Sequence, residues 1–254
     1  MSFTEPRSEN LTKFINYTVI LLSVLAQFQE VYKYLAFSGE AIVGSSNSHE
    51  TVPDSEADPG EVFAFWTIIT CVFFEVNWFF LGLHLLIINY VVRQLEHIWS
   101  RRSFAALVVF SAFFTGIMRL GWLVIYANTI ESETVAASAK GIMTEPYCSI
   151  NHLVIMVLMG CRQVFPDRNL NTGIPFLTDN IMLPFKQLPA LYVFMCWLCA
   201  FIFEMSIDFS LLGTLYFSWI YLRFFMVTKQ TAPNQIGDTS ANFSLTSFFP
   251  ERAH

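Results

Sequence analysis

Residues 103–127 read SFAALVVFSAFFTGIMRLGWLVIYA, an apolar run that contains a single charged side chain, Arg119. A helix needs about 20 predominantly apolar residues to cross the hydrocarbon of a bilayer, because its backbone polar groups must be hydrogen bonded internally. This run meets that requirement. Five further runs of similar character lie near 14–37, 76–92, 147–165, 188–205 and 209–227. The sequence therefore predicts an all-α membrane protein with six transmembrane helices.

The composition agrees with a lipid-embedded chain. Hydrophobic residues make up 54% of the 254 residues, aromatic residues 17% and charged residues 13%, about half the charged share of a soluble domain. The net charge of −6 and the acidic stretch between Glu40 and Glu61 argue against nucleic-acid binding. The five cysteines lie in or beside apolar runs, where they behave as small core residues. We predict no metal and no cofactor.

The region before the second span is too long for one helix. Residues 62–92 form a nearly continuous apolar stretch of 31 residues, longer than one span requires. We therefore predict a short embedded helix over 62–74, between spans one and two, and a span from about Val76. Glu75 and Asn77 mark the join, and we expect Glu75 to cap the span. Only residues 206–208 separate spans five and six, which predicts a tight helical hairpin.

Basic residues near span ends are retained on the cytosolic side of a membrane. Here ten of them fall on one side of the six predicted spans, while Lys140 falls on the other, which predicts that both termini are cytosolic. The chain then divides into a cytosolic N-terminus (1–13), a membrane domain (14–227) with a flexible luminal loop (38–61), and a cytosolic tail (228–254). The basic residues on that side are Arg7, Lys13, Arg93, Arg101, Arg102, Arg162, Arg168, Lys186, Lys229 and Arg252.

Ionisable groups within spans are costly in lipid and need partners. We expect Arg119 to pair with Glu75 or Glu204. His84 and His152 are expected to hydrogen bond to neighbouring helices rather than to bind metal. Ser149 and His152 are three residues apart on one helix, a spacing that rarely brings a nucleophile and its base together.

Small residues predict where helices approach closely. Ala112 and Gly116 form one such pattern in span three. Ser206, Ser210 and Gly213 form another at the start of span six.

Four motifs carry a family resemblance. Residues 213–225, GTLYFSWIYLRFF, contain Gly213, Trp219, Tyr221 and Arg223, and they are followed by Ser247-Phe248-Phe249-Pro250-Glu251. Upstream are Phe65-Trp66-Thr67 with Glu75, and Leu95-Glu96-His97-Ile98-Trp99. Taken in chain order, over about 63–251, the four motifs resemble the transmembrane protein 115 family, a branch of the rhomboid-like superfamily.

The resemblance implies a rhomboid-like bundle of six helices in a non-catalytic Golgi membrane protein. It implies a role in Golgi-to-ER retrograde vesicle traffic, as a scaffold or cargo adaptor with cytosolic tethering or coat proteins and membrane cargo as partners. We expect Trp219 and Tyr221 to anchor span six at the membrane interface and Arg223 to end it. Residues Phe248, Phe249, Pro250 and Glu251 would dock a partner or fold back on the bundle.

Active rhomboid proteases resemble one another in a G-x-S-G serine motif and a histidine in span six. Here span four begins Tyr147-Cys-Ser149-Ile-Asn151-His152, and 209–227 contain no histidine. We therefore predict that the chain is not an enzyme. Two alternatives are a small transporter or lipid scramblase that uses Glu75 and Arg119, and a quality-control pseudoprotease of the ER.

Overall fold

The computed structural model describes residues 10–37, 66–129, 147–169, 183–204, 207–226, 237, 238, 240, 243 and 244. Apart from two isolated bridges, the regular structure of these residues is helical. The helices are α1 (Asn10–Leu25), α2 (Gln29–Leu35), α3 (Thr67–Thr70), a 3₁₀ turn (Cys71–Phe73), α4 (Trp78–Leu95), α5 (Arg101–Thr129), α6 (Asn151–Val164), α7 (Leu188–Ile202) and α8 (Ser210–Phe224). The all-α prediction is confirmed for this part of the chain.

Two helices of the described chain are long and apolar enough to cross a membrane, Trp78–Leu95 and Arg101–Trp122. They correspond to predicted spans two and three. Shorter apolar helices cover Leu11–Leu25 and Leu188–Ile202. The count of six spans stays a prediction.

The first predicted span is wrong in its length. The chain leaves the helix after Leu25, turns through residues 26–28 and re-enters a helix at Gln29. Gln27 explains the break, because its side-chain amide donates to the carbonyl oxygen of Val76 at 3.2 Å, at the N-terminal end of α4. The break after Leu25 places the Gln27 side chain within hydrogen-bonding distance of Val76.

The short helix before span two is confirmed as α3 and the 3₁₀ turn; residues 62–65 lie outside the described ones. Asn77, not Glu75, caps α4. Its side-chain oxygen accepts from the backbone N–H groups of Phe79 at 3.0 Å and Phe80 at 3.4 Å, as expected for an extended residue directly before a helix. Glu75 lies two residues further upstream, outside the capping position.

Helix α6 is the centre of the bundle. Its residues 152–162 are all buried, and α4, α5, α7 and α8 each pack against it. Gly160 permits the closest contact, because a Cβ atom there would lie 2.2 Å from the Trp99 ring.

The predicted small-residue faces do mediate helix packing. A Cβ atom on Gly116 would lie 2.3 Å from Ile68 of α3, and one on Gly213 would lie 2.4 Å from Met118 of α5. Ser218 of α8 also donates to Ser111 of α5 at 3.1 Å. Such residues allow helix backbones to approach where lipid supplies no hydrophobic driving force.

Helix α7 ends at Ile202, three residues before the predicted end of span five, and α8 begins at Ser210. Glu204 adopts a positive φ of 54° where the chain leaves α7. The Asp208 carboxylate then accepts a hydrogen bond from the backbone N–H of Ser210, the first residue of α8, at 3.0 Å. Ser206, one of the predicted packing residues, lies outside the described residues.

Candidate functional site

A buried polar network joins α5, α6 and α8 at the end of the bundle where Arg119 lies. We call Arg119, Tyr147, His152, Asp208, Ser210 and Thr214 the His152 network. The His152 ring lies at its centre, with Nδ1 2.6 Å from the Thr214 hydroxyl and Nε2 2.8 Å from the Tyr147 hydroxyl. Tyr147 in turn donates to Asp208.

These contacts define the direction of each hydrogen bond. Tyr147 gives its one hydroxyl proton to Asp208, so its oxygen accepts from Nε2–H of His152. Nδ1 of the neutral ring is then an acceptor, and Thr214 donates to it. Both ring nitrogens are therefore satisfied inside the protein.

Arg119 completes the network, and its predicted partner was wrong. Its guanidinium lies 3.7 Å from the Asp208 carboxylate and 3.2 Å above the centre of the Tyr147 ring, rather than beside Glu75 or Glu204. Arg119 is 18 residues after Arg101, about 27 Å along the helix axis. That position brings Arg119 level with the turn before α8, where Asp208 lies.

The Asp208 carboxyl lies in this turn, outside the helices. Burial raises the pKa of Asp208, but the electrostatic influence of His152 and Arg119, with hydrogen bonds from Ser210 and Tyr147, lowers it by more, so the pKa lies below its ordinary value. Asp208 is therefore a carboxylate at neutral pH and balances the charge of Arg119.

A small cavity opens beside this network. It is lined by Arg119, Tyr147, His152, Ser210, Thr115 and the apolar residues of α3 and α5 near them. The hydroxyl that His152 contacts most closely belongs to Thr214, whose exposure is 0%. Ser210 does reach the cavity, but its hydroxyl donates to Asp208. The Ser210 oxygen also lies 3.5 Å from His152 Nε2, but its proton is used in the bond to Asp208. The network therefore links the helices through hydrogen bonds.

A second polar group lies nearby, between α4, α6 and α7. Glu75 Oε2 lies 4.0 Å from His84 Nδ1; we call these residues the Glu75–His84 pair. Asn151 of α6 is a hydrogen-bonding neighbour of His84. Its side-chain oxygen also accepts from the Tyr192 hydroxyl of α7 at 2.6 Å.

The motif residues Glu96 and Trp99 stabilise the opposite end of the bundle. The Glu96 carboxylate accepts from the backbone N–H of Thr12 at 2.7 Å, which satisfies an open donor in the first turn of α1. Trp99 is buried against Gly160. Trp66, at the start of α3, donates its indole N–H to the carbonyl oxygen of Tyr34 at 3.1 Å.

The motif at the end of α8 holds the C-terminal tail. Trp219 is 9% exposed and donates to the carbonyl oxygen of Phe243 at 3.0 Å. Its role as an interfacial anchor stays a prediction. Arg223 donates to the carbonyl oxygen of Ser240 at 2.7 Å. Tyr221 packs against Phe110 of α5, with ring centres 5.3 Å apart.

Gly237 allows the tail to turn back. Its φ is +78°, a left-handed conformation that L side chains rarely adopt, and a Cβ atom there would lie 2.2 Å from the carbonyl oxygen of Arg223. We call Gly237, Ser240 and Phe243, with their contacts to Trp219 and Arg223, the tail clasp. Residues Phe248 to Glu251, predicted to dock a partner or fold back, lie outside the described residues.

Several residues of these groups were missed from the sequence: Tyr147, Asp208 and Thr214 of the His152 network, and Asn151 and Tyr192 beside His84. Of these missed residues, Asp208 could have been predicted from the sequence. Arg119 needs a carboxylate at the same membrane depth, and the turn between spans five and six reaches that depth. Among the described residues, no three His, Cys, Asp or Glu side chains converge as a metal site.

Comparison with known proteins places the chain in a family. The family model described as eukaryotic integral membrane protein (DUF1751) matches residues 13–254. Transmembrane protein 115, whose family the motifs resemble, belongs to the same rhomboid-like family. No curated protein and no solved structure matches the chain significantly. Because the family model covers nearly the whole chain, the protein belongs to this family of eukaryotic integral membrane proteins.

Proposed function

We propose that the chain is a non-enzymatic membrane protein of the Golgi that supports Golgi-to-ER retrograde vesicle traffic as a scaffold or cargo adaptor. The resemblance to the transmembrane protein 115 family supplies the compartment and the process. The single structural observation that supports an adaptor is the tail clasp, in which Trp219 and Arg223 hold the tail against the end of span six.

The clasp uses motif residues to position a polypeptide segment. With both termini in the cytosol, Gly237, Ser240 and Phe243 would be held at the cytosolic surface of the membrane. The segment that follows, which contains Phe248 to Glu251, would then start from a fixed point. A held peptide loses less conformational entropy when it binds a tethering or coat protein.

The His152 network supports the absence of catalysis. An acyl-transfer enzyme needs an accessible nucleophile next to its base, whereas His152 contacts the buried Thr214 hydroxyl. We expect no turnover from the purified chain in a fluorogenic intramembrane cleavage assay. Turnover that the Ser149→Ala variant lacks would contradict the proposal.

The transporter or scramblase alternative requires a polar path through Glu75 and Arg119. Arg119 instead pairs with Asp208, while Glu75 lies beside His84. The adaptor therefore stays our proposal.

Localisation and cargo return test the function together. We expect the tagged chain to overlap Golgi markers, and gene deletion to slow the return of a retrograde cargo to the ER. Wild type should restore the rate, and Trp219→Phe, which removes the indole N–H donor, should restore it less. Trp122→Phe is the matched control, because that tryptophan is 61% exposed on α5. An ER location, as for a quality-control pseudoprotease, or unchanged cargo return would overturn the proposal.

A further inference from the structure

The Glu75–His84 pair is an incomplete interaction. The 4.0 Å between Glu75 Oε2 and His84 Nδ1 is too long for a direct hydrogen bond. The His84 side chain is 8% exposed, and its Nδ1 has no hydrogen-bond partner among the described residues. A buried polar atom without a partner is costly, so the site calls for an additional group.

Neighbouring elements hold both residues in place. The backbone N–H of Glu75 donates to the Ser23 hydroxyl of α1 at 3.2 Å, and its Oε1 accepts from the Asn77 backbone at 3.4 Å. These contacts leave Oε2 facing His84. Asn151 holds the imidazole from the other side. The pair therefore presents a carboxylate oxygen and an imidazole nitrogen in a fixed arrangement.

The gap between the two atoms fits one bridging donor. A donor atom about 2.8 Å from each of two acceptors separates those acceptors by about 4–4.6 Å when it uses two of its hydrogens. A positive charge nearby would stabilise the carboxylate form of Glu75. A primary ammonium group supplies both the charge and three N–H donors, whereas a quaternary ammonium has the charge without a donor.

The exposed face of α4, opposite the buried face that contains His84, suits contact with lipid. Trp78 is 56% exposed at the first residue of α4, a typical place for an aromatic side chain at the headgroup level. Phe79, Leu83 and Leu86 follow at helical spacing on one face and are 76%, 46% and 70% exposed. In an integral membrane protein such a face contacts acyl chains.

We propose that the Glu75–His84 pair binds the primary ammonium group of an aminophospholipid. Charge complementarity supports this occupant: the site offers a carboxylate and a neutral acceptor, and the ligand offers a cation with N–H donors. The site is independent of the proposed trafficking role.

Native mass spectrometry of the purified full chain in detergent tests the proposal directly. Phosphatidylethanolamine and phosphatidylcholine with identical acyl chains are compared, together with the N-monomethyl and N-dimethyl lipids. We expect the ethanolamine lipid to bind about tenfold more tightly than the choline lipid, the gain expected from charge-assisted hydrogen bonds. Affinity should fall along the methylation series. Equal binding of all four lipids would overturn the proposal and would mean that the gap holds only water.

Two variants assign the preference to the pair. Glu75→Gln removes the charge and His84→Leu removes the imidazole acceptor, so each should lose most of the preference for ethanolamine. Glu204→Gln is the matched control, because it removes another carboxylate, an exposed one beyond α7, and should keep the preference. Retained preference in both pair variants would also overturn the proposal. The methylation series on the wild-type chain tests the proposal even where a variant fails to fold.

Discussion

Asn151 and His152, consecutive residues of α6, contact two different polar groups. The two groups differ in how many of their hydrogen bonds are made within the protein. His152 belongs to a network in which both ring nitrogens have protein partners and Asp208 neutralises Arg119. Its neighbour Asn151 faces the Glu75–His84 pair, in which Nδ1 has no partner among the described residues. A complete network serves stability, because every member supports another. The incomplete pair leaves room for one more contact, which the proposed ammonium group would make.

The largest effect is expected from breaking the complete network at its charge. Asp208→Asn leaves Arg119 partly buried without an anion, and should lower the free energy of unfolding by about 2–3 kcal/mol. Denaturant unfolding in one detergent measures the change. The control is Asp167→Asn, whose carboxylate is 75% exposed beside Lys186 and should cost less than about 0.5 kcal/mol. Equal losses of unfolding free energy in both variants would show that the buried Asp208 carboxylate stabilises the protein no more than an exposed one.

Acid should weaken the same interaction. The pKa of Asp208 is lowered in the folded protein, so its contribution is complete above the ordinary value of 3.8 and is lost as the pH falls through the folded value. The contribution of Asp208, taken as the difference between the unfolding midpoints of the wild type and Asp208→Asn, should stay level from neutral pH to about pH 4 and shrink below it. The groups that face Asp208 are Arg119, Tyr147 and His152. An equally steep drop in Asp208→Asn would assign the acid effect elsewhere.

Removing the Thr214 hydroxyl tests the other side of the His152 ring. Thr214→Val keeps the shape but leaves Nδ1 without its donor, and should cost about 1–2 kcal/mol of unfolding free energy. Thr18→Val is the control, because the Thr18 hydroxyl bonds only to its own helix at an exposed position. If Thr214→Val leaves the free energy of unfolding unchanged, Nδ1 has another donor, and the Thr214 contact is not central to the network.

The smallest effect on global stability is expected at the tail clasp, which lies far from both polar groups. Gly237→Ala places a Cβ atom 2.2 Å from the carbonyl oxygen of Arg223 and strains a left-handed residue, a local cost of about 1 kcal/mol. We expect faster proteolysis of the tail with little change in the unfolding midpoint. Gly82→Ala is the matched control, since a Cβ atom there meets nothing within 4 Å. Unchanged tail cleavage would show that the clasp does not hold the tail.

The sequence predicted the features that follow from chain-local rules. Hydropathy identified α4, α5 and α7 closely, and the small residues Gly116 and Gly213 marked real helix contacts. It failed where partners come from distant positions. Arg119 was assigned to the wrong carboxylate, because Asp208 reads as a loop residue until the order of the helices is known. The break after Leu25 was missed for the same reason, since its cause is Gln27 meeting Val76 of another element.

The tail shows the same division. The sequence singled out Trp219 and Arg223, but an interfacial tryptophan and one that bonds a returning segment have the same local pattern. Only the fold brings Ser240 and Phe243 back to α8.

One measurement tests the contrast between the complete network and the incomplete pair most directly. The unfolding midpoints of wild type, Glu75→Gln and Asp208→Asn are recorded in phosphatidylcholine micelles with and without phosphatidylethanolamine. A ligand that binds only the folded state raises the midpoint. We predict that wild type gains from the ethanolamine lipid, that Asp208→Asn starts lower but gains equally, and that Glu75→Gln starts near wild type and gains nothing. An equal gain in Glu75→Gln, or a lost gain in Asp208→Asn, would contradict the account.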